Sequence, residues 1–185
     1  MISMIAEIVQ QIKTAQRFLI CAHASPDGDA IGSTLGLMLG LEKLGKDVVA
    51  YNADGVPDTF RFLPGADRLI TDLSGQAAFD IVFVLDAGDL SRTVDLVAER
   101  APFLINIDHH PGSKFGDLCF LDTSAAATAV LVLRVLKACG LKLDCDIALP
   151  LYTGLLSDTG SFRYANSNPE AFAVGGELVA LGIDP

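Results

Sequence analysis

The sequence predicts an α/β protein: a doubly wound, mainly parallel sheet flanked by helices. Two observations carry that prediction. Apolar, β-branched runs alternate with helix-period segments throughout the chain, which is the β-α-β rhythm of parallel strands joined by crossovers. The composition agrees, with 51% of the 185 residues hydrophobic and 19% charged, and much of the apolar content Ala, Val, Leu and Ile. Strands covered by helices on both faces call for that composition. Such a chain is not disordered, and its length fits one domain, or one and the beginning of another.

Taken in order, MISMIAEIVQQIK is amphipathic and reads as a helix, unlike a signal peptide. RFLICAH follows as a strand, AIGSTLGLMLGLEKLG as a helix ended by Gly45, and DVVAYN as the next strand. A polar, proline-containing connection with a short DTFRFL turn leads to two more strands, FDIVFVLDAG and FLINIDHH, separated by a helical VDLVAER. After DLCFLD, Thr123 or Ser124 is expected to cap the small-residue helix AAATAVLVLRVLKACG. CDIALPLYTGLLSD and NPEAFAVGGELVALG are helical and flank SFRYAN.

Several function classes fall away. No run reaches the roughly 18 apolar residues of a membrane span; AAATAVLVL is cut short by Arg134. The four cysteines, Cys21, Cys119, Cys139 and Cys145, form no C-x-x-C pair, and are expected to be reduced core residues of a cytoplasmic protein. The formal charge of −10 excludes a sequence-independent nucleic-acid binder, which needs a basic face, and with it stable binding to a duplex. It leaves room for an anionic substrate brought in by bound metal.

Three of the strands end in His23, in Asp86 and in Asp108-His109-His110. Doubly wound sheets bind ligands beyond the carboxyl ends of their strands. The only three histidines of the chain lie at these ends, together with Asp27, Asp29, Asp86 and Asp108. Carboxylates and imidazoles gathered there would be strongly unfavourable without cations. Oxygen and imidazole donors without thiolate suit Mn²⁺ or Mg²⁺. Asp27 and Asp29 are two apart, so in an extended loop both side chains leave on one side and reach two neighbouring ions, with Asp86 as the candidate bridge. Two-metal hydrolases hold their ions about 3.5–4 Å apart and activate a shared water for in-line attack. Each piece alone has a plainer role: Asp86 as a turn former, the histidine pair as a surface turn, DGDAIGS as a tight turn for close helix packing. Those plainer roles would have to hold at every strand end together.

The motifs HASPDGDAIGS, VLDAGD, NIDHH and LLSDTGSFRY, in this order from Cys21 to Tyr164, resemble the four motifs of the DHH phosphoesterase superfamily. The nearest likeness is to its branch of bacterial oligoribonucleases that also dephosphorylate 3′-phosphoadenosine 5′-phosphate (pAp), the nanoRNase/pAp-phosphatases. The resemblance implies a DHH catalytic domain with two divalent ions, Mn²⁺ before Mg²⁺, and a bridging hydroxide that attacks phosphorus. His23, Asp27 and Asp86 would hold one ion; Asp29, Asp86, His109 and Asp158 would hold the other. His110 would face the substrate phosphate and Asp108 would orient the histidines, so His110, Asp108 and Asp86 are the residues expected to act in catalysis. Ser33, near a helix N-terminus, and Arg163 are candidate substrate contacts, whereas Arg92 is expected to be structural. Asp158 enters through the resemblance alone, because it follows a helix and not a strand.

The implied substrate is a short nucleotide, and the resemblance is compatible with a homodimer. Rival functions are an inorganic pyrophosphatase or exopolyphosphatase on the same scaffold, and a nucleotide-sensing domain without turnover. This branch also carries a second, smaller domain with a glycine-rich, histidine-containing motif, and no histidine follows His110 here. The expectation is therefore a catalytic domain, residues 1–185, without that substrate-binding partner.

Overall fold

The computed structural model describes every residue except Met1, Val94, Asp95, Leu96 and Ala98. Among the described residues, five parallel strands form one sheet: β1 (Arg17–Ala22), β2 (Asp47–Tyr51), β3 (Ile81–Leu85), β4 (Leu104–Asp108) and β5 (Leu118–Leu121). Their order is β2-β1-β3-β4-β5, so the direction of winding reverses between β1 and β3. Connections leaving a reversal point in opposite directions open a crevice beyond the strand ends. Ala22 pairs with Leu85 across β1 and β3, which sets the next residues, His23 and Asp86, side by side at that crevice.

The strands read as unbroken apolar runs because both faces are covered. Phe18, Ile20, Phe83, Leu85, Ile105 and Ile107 belong to a large core, and the alternating Leu19, Cys21, Val82 and Val84 to a smaller one. The α-helices of the described residues all feed the large core: α1 (Ile2–Thr14), α2 (Gly28–Lys43), α3 (Thr128–Ala138), α4 (Cys145–Asp158) and α5 (Pro169–Val179). Helices thus flank a parallel sheet, as expected, but among the described residues they gather on one face. Leu73, Phe79 and Ala87, from the connections, help close the smaller core. The helical expectation over VDLVAER falls largely on Val94, Asp95, Leu96 and Ala98, outside the described residues.

Glycines at every fourth position of α2 (Gly28, Gly32, Gly36 and Gly40) form one line along the helix. A methyl group added at Gly32 would meet the Pro150 carbonyl oxygen at 2.3 Å and the Gly154 nitrogen at 2.8 Å. Here α2 and α4 therefore touch backbone to backbone, as only glycine permits. This contact brings the C-terminal end of α4, with Asp158, beside the N-terminal end of α2, with Asp27 and Asp29.

Local details differ from the sequence-based expectations. Asp27 and Asp29 do not share an extended loop: Asp27 is the N-cap of α2, accepting the Asp29 and Ala30 amides at 3.0 Å, and Asp29 lies in the first turn. Neither Thr123 nor Ser124 caps α3, which begins only at Thr128 and takes no side-chain cap from Ala127. Ser124 instead turns onto Asp122, its amide at 3.0 Å and its hydroxyl at 2.5 Å from Oδ1. All four cysteines are free, and Cys21 is buried in the core, but Cys119 and Cys139 are half-buried and Cys145 is exposed. Among the described residues, no helix is long and apolar enough to cross a membrane.

Candidate metal centre

The backbone turns sharply where β3 ends. Asp86 has φ of 56°, uncommon for a residue with a Cβ and a conformation that concentrates at functional sites. Its amide still completes the ladder to the Ile107 carbonyl at 3.1 Å. One carboxylate oxygen, Oδ2, lies 3.8 Å from His23 Nε2, which is also 3.8 Å from Asp27 Oδ1. The other, Oδ1, lies 3.6 Å from His109 Nε2, which is 3.0 Å from Asp158 Oδ2 and 4.0 Å from Asp29 Oδ2. His23, Asp27 and Asp86 thus form one group of donors within 4.8 Å of one another, and Asp29, His109 and Asp158 form another. Asp86 stands between them, and also forms such a group with His109 and His110.

The rings of His23 and His109 are held alike. Nδ1 of His23 meets the Ala24 carbonyl at 2.8 Å and Nδ1 of His109 the Ala125 carbonyl at 3.3 Å. A carbonyl there selects the tautomer protonated at Nδ1 and leaves Nε2 to the carboxylates. Among the described residues His109 Nε2 is buried without a hydrogen-bond partner, and Asp158 Oδ2 approaches it to 3.0 Å as an ion contact. An orphaned imidazole nitrogen facing three carboxylates fits a divalent cation.

Asp29 is fully buried and caps α3 from a distance. Its Oδ2 accepts the Thr128 amide at 2.6 Å, and its Oδ1 accepts the Ala129 amide at 2.9 Å and the Ser33 hydroxyl at 3.0 Å. Asp108, also fully buried, accepts the Gly88 amide at 2.6 Å, the His110 amide at 2.8 Å and His110 Nδ1 at 2.9 Å. Asn52 braces the other edge by donating to the His23 carbonyl at 2.9 Å.

The ionisation of these groups follows from the crowding of carboxylates in the crevice. Burial, then the charge of Asp158, pushes Asp29 up to about 7. Burial also drives Asp86 well above the carboxylate range, reinforced by Asp29, Asp158 and Asp27. Burial opposes a charge on His109, but Asp158 and Asp29 outweigh it and hold the imidazole up at about 9. His23 is raised chiefly by its contact with Asp27, which the same contact lowers to about 2. At Asp108 burial is overcome by hydrogen bonds from His110 and Gly88, and the carboxyl sits at about 2. Either protons or a divalent cation can balance carboxylates crowded in this way.

All six expected ligands, His23, Asp27, Asp29, Asp86, His109 and Asp158, are brought together, with His110 and Asp108 at their edge. Ser33 is placed differently from the expectation: it is fully buried, and its hydroxyl serves Asp29 and does not face substrate. Arg163 is exposed on the turn after Asp158, its Nε donating to the Gly160 carbonyl at 2.8 Å. Arg92 is exposed, donates from Nη1 to the Ala87 carbonyl at 3.2 Å and accepts the Ala24 amide on its own carbonyl, which suits a structural role. Sequence reasoning missed Thr128. This fully buried residue donates its hydroxyl to Asp86 Oδ1 at 2.9 Å. A lone hydroxyl residue in the run AAATAVLVL was its only signal.

With this geometry in view, the comparisons are specific. The family described as "DHH family, N-terminal domain" matches residues 17–155. A bifunctional oligoribonuclease and PAP phosphatase of Thermus thermophilus is 38% identical over 181 residues, 97% of this chain and 54% of that protein. Its namesake in Bacillus subtilis is 29% identical over 178 residues, 94% of this chain and 56% of that protein. The crystal structure of an exopolyphosphatase-related protein from Bacteroides fragilis superposes with a TM-score of 0.92 at 31% identity, covering 100% of this chain and 58% of that one. The chain spans about half the length of the curated relatives it matches.

Proposed function

The chain belongs to the DHH family, and from that premise we propose that it is the catalytic domain of a metal-dependent phosphohydrolase acting on short oligonucleotides, on pAp, or on both. The observation that carries this reading is Asp86, which offers one oxygen to the His23 and Asp27 side and the other to the Asp29, His109 and Asp158 side. Two divalent ions sharing that carboxylate, Mn²⁺ before Mg²⁺ on the donor set, would be held by His23, Asp27 and Asp86, and by Asp29, Asp86, His109 and Asp158. When bound, such ions lower the pKa of water and polarise phosphoryl oxygens.

The protein's own groups do the rest. Asp108 takes Nδ1 of His110 at 2.9 Å, fixing the tautomer and leaving Nε2 of this part-exposed ring for a phosphate oxygen. Arg163, exposed beyond Asp158, would add a cation for a second phosphate. Residues 1–185 on this reading supply the metal centre and the reacting groups, while a second, smaller domain supplies substrate closure. The names of the Thermus and Bacillus relatives support the substrate class. The close superposition on an exopolyphosphatase-related protein favours a second reading, hydrolysis of inorganic phosphoanhydrides.

The test is parallel turnover of a ribodinucleotide, pAp and inorganic pyrophosphate by this chain with added Mn²⁺, beside Asp86→Ala. Mononucleotide or phosphate release from the first two, lost in Asp86→Ala, is expected. Turnover of pyrophosphate alone would favour the second reading, and no turnover of any substrate by a metal-loaded chain would overturn both.

A further inference from the structure

We propose that Thr128 is a positioning residue of the metal centre, its hydroxyl fixing the plane of the Asp86 carboxylate so that the two oxygens face opposite ligand sets. The inference rests on the two-ion reading above and adds a residue that touches no ion. Thr128 opens α3, a position where a threonine hydroxyl commonly meets solvent or its own helix. Here it is fully buried and reaches 42 residues back along the chain to Asp86 Oδ1 at 2.9 Å. Its amide, at 2.6 Å, holds Asp29 Oδ2. One residue therefore holds two carboxylates of the centre by two different atoms.

A carboxylate oxygen has two lone-pair directions. At Oδ1 of Asp86 one is taken by Thr128, which leaves the other for the side where His110 Nδ1 lies at 3.4 Å, itself held by Asp108 at 2.9 Å, and His109 Nε2 at 3.6 Å. Oδ2 accepts no hydrogen bond from the described residues and faces His23 at 3.8 Å. Asp86 sits on backbone with φ of 56°, at the end of its strand, so regular strand geometry does not fix the turn of its side chain. The Thr128 hydroxyl does. Its sequence neighbours Ala127 and Ala129 have no side-chain donor, and His110 Nδ1, 3.4 Å from the same oxygen, is already held by Asp108 at 2.9 Å.

Thr128→Val keeps the shape and removes the donor; Thr128→Ser keeps the donor and removes the methyl. Mn²⁺ titration calorimetry and low-temperature electron paramagnetic resonance on the full chain read the centre without turnover. Thermal unfolding in chelator reads the fold. For Thr128→Val we expect the second Mn²⁺ to bind roughly 10–100-fold more weakly, as when an outer hydrogen bond to a ligand is lost. At Mn²⁺ concentrations that just fill the wild-type centre the exchange-coupled spectrum of a paired site should be lost. Metal-free Tm should fall by no more than a few degrees, the cost of one buried hydrogen bond, with Thr128→Ser restoring both metal readouts. Thr128→Ala, expected to behave like Thr128→Val, decides the matter if valine cannot be packed. Wild-type affinity and spectrum in Thr128→Val, or a Thr128→Ser variant as defective as Thr128→Val, would overturn the inference alone. A wild-type chain binding fewer than two ions would overturn the two-ion reading and this inference with it.

Discussion

Stripped of metal, the chain should lose stability as the pH rises from about 5 to about 8, and Asp29 is the residue through which to measure the loss. Its carboxyl is fully buried, and burial together with Asp158 lifts its pKa from 3.8 to about 7. A carboxyl raised in the folded state binds its proton more tightly there than in the unfolded chain. Its cost is absent below the unfolded value and fully present above the folded one. Between about pH 5 and pH 8 that one group costs the fold on the order of 3 kcal/mol, or about 6–12 °C in Tm for a chain of this size. Asp86, also raised, acts in the same direction. So do His109 and His23, whose raised values give stability that is lost as pH climbs toward them. Asp27 and Asp108, held at about 2, complete their changes below this window. Asp29→Asn removes the charge but also leaves an α3 amide poorly matched, so its pH slope should be shallower than that of the wild type while its stability near pH 5 is no greater. Saturating Mn²⁺ should remove most of the slope and raise Tm more at pH 8 than at pH 5. The assay is thermal unfolding by circular dichroism across this range, in chelator and in Mn²⁺. A metal-free Tm that is flat or rises from pH 5 to pH 8 would mean that burial does not hold the Asp29 carboxyl above its ordinary range.

Other perturbations separate the parts. Gly154→Ala would set a methyl 2.8 Å from Asp29 Oδ1 and 2.9 Å from Ala129 Cβ, so it should cost about 1–3 kcal/mol by overpacking and weaken metal binding, as unfolding and calorimetry would show. Gly176→Ala, in the helix α5, meets nothing within 4 Å among the described residues and should instead stabilise by about 0.5–1 kcal/mol. His110→Ala should keep both ions by metal analysis and lose roughly 10²–10³ in kcat, the usual cost of one electrostatic contact to the reacting group; loss of an ion would reassign His110 as a ligand.

The strand ends were legible in the sequence because parallel strands are read as apolar runs, and the polar residue that breaks each run marks the sheet edge. His23, Asp86 and Asp108 to His110 all gave that signal. Asp158 gave none, because its place depends on how α4 lies against α2. The glycines at every fourth position of α2 and Gly154 of α4 were the visible trace of that contact, but a spacing does not name its partner. Thr128 and the capping of α3 by Asp29 were illegible for a related reason. They join residues 42 and 99 positions apart, whereas capping rules read only neighbours. Ser33 was misplaced by the same local reading, since an anion site at a helix N-terminus and a hydroxyl serving a buried aspartate look alike in sequence.

On the proposed reading one carboxylate, Asp86, serves two cations. Anomalous diffraction at the manganese edge from crystals grown with Mn²⁺ tests it most directly. Two peaks are expected, one bounded by His23, Asp27 and Asp86 and the other by Asp29, Asp86, His109 and Asp158, with a different oxygen of Asp86 on each. A single peak, or two peaks of which Asp86 touches only one, would contradict the account.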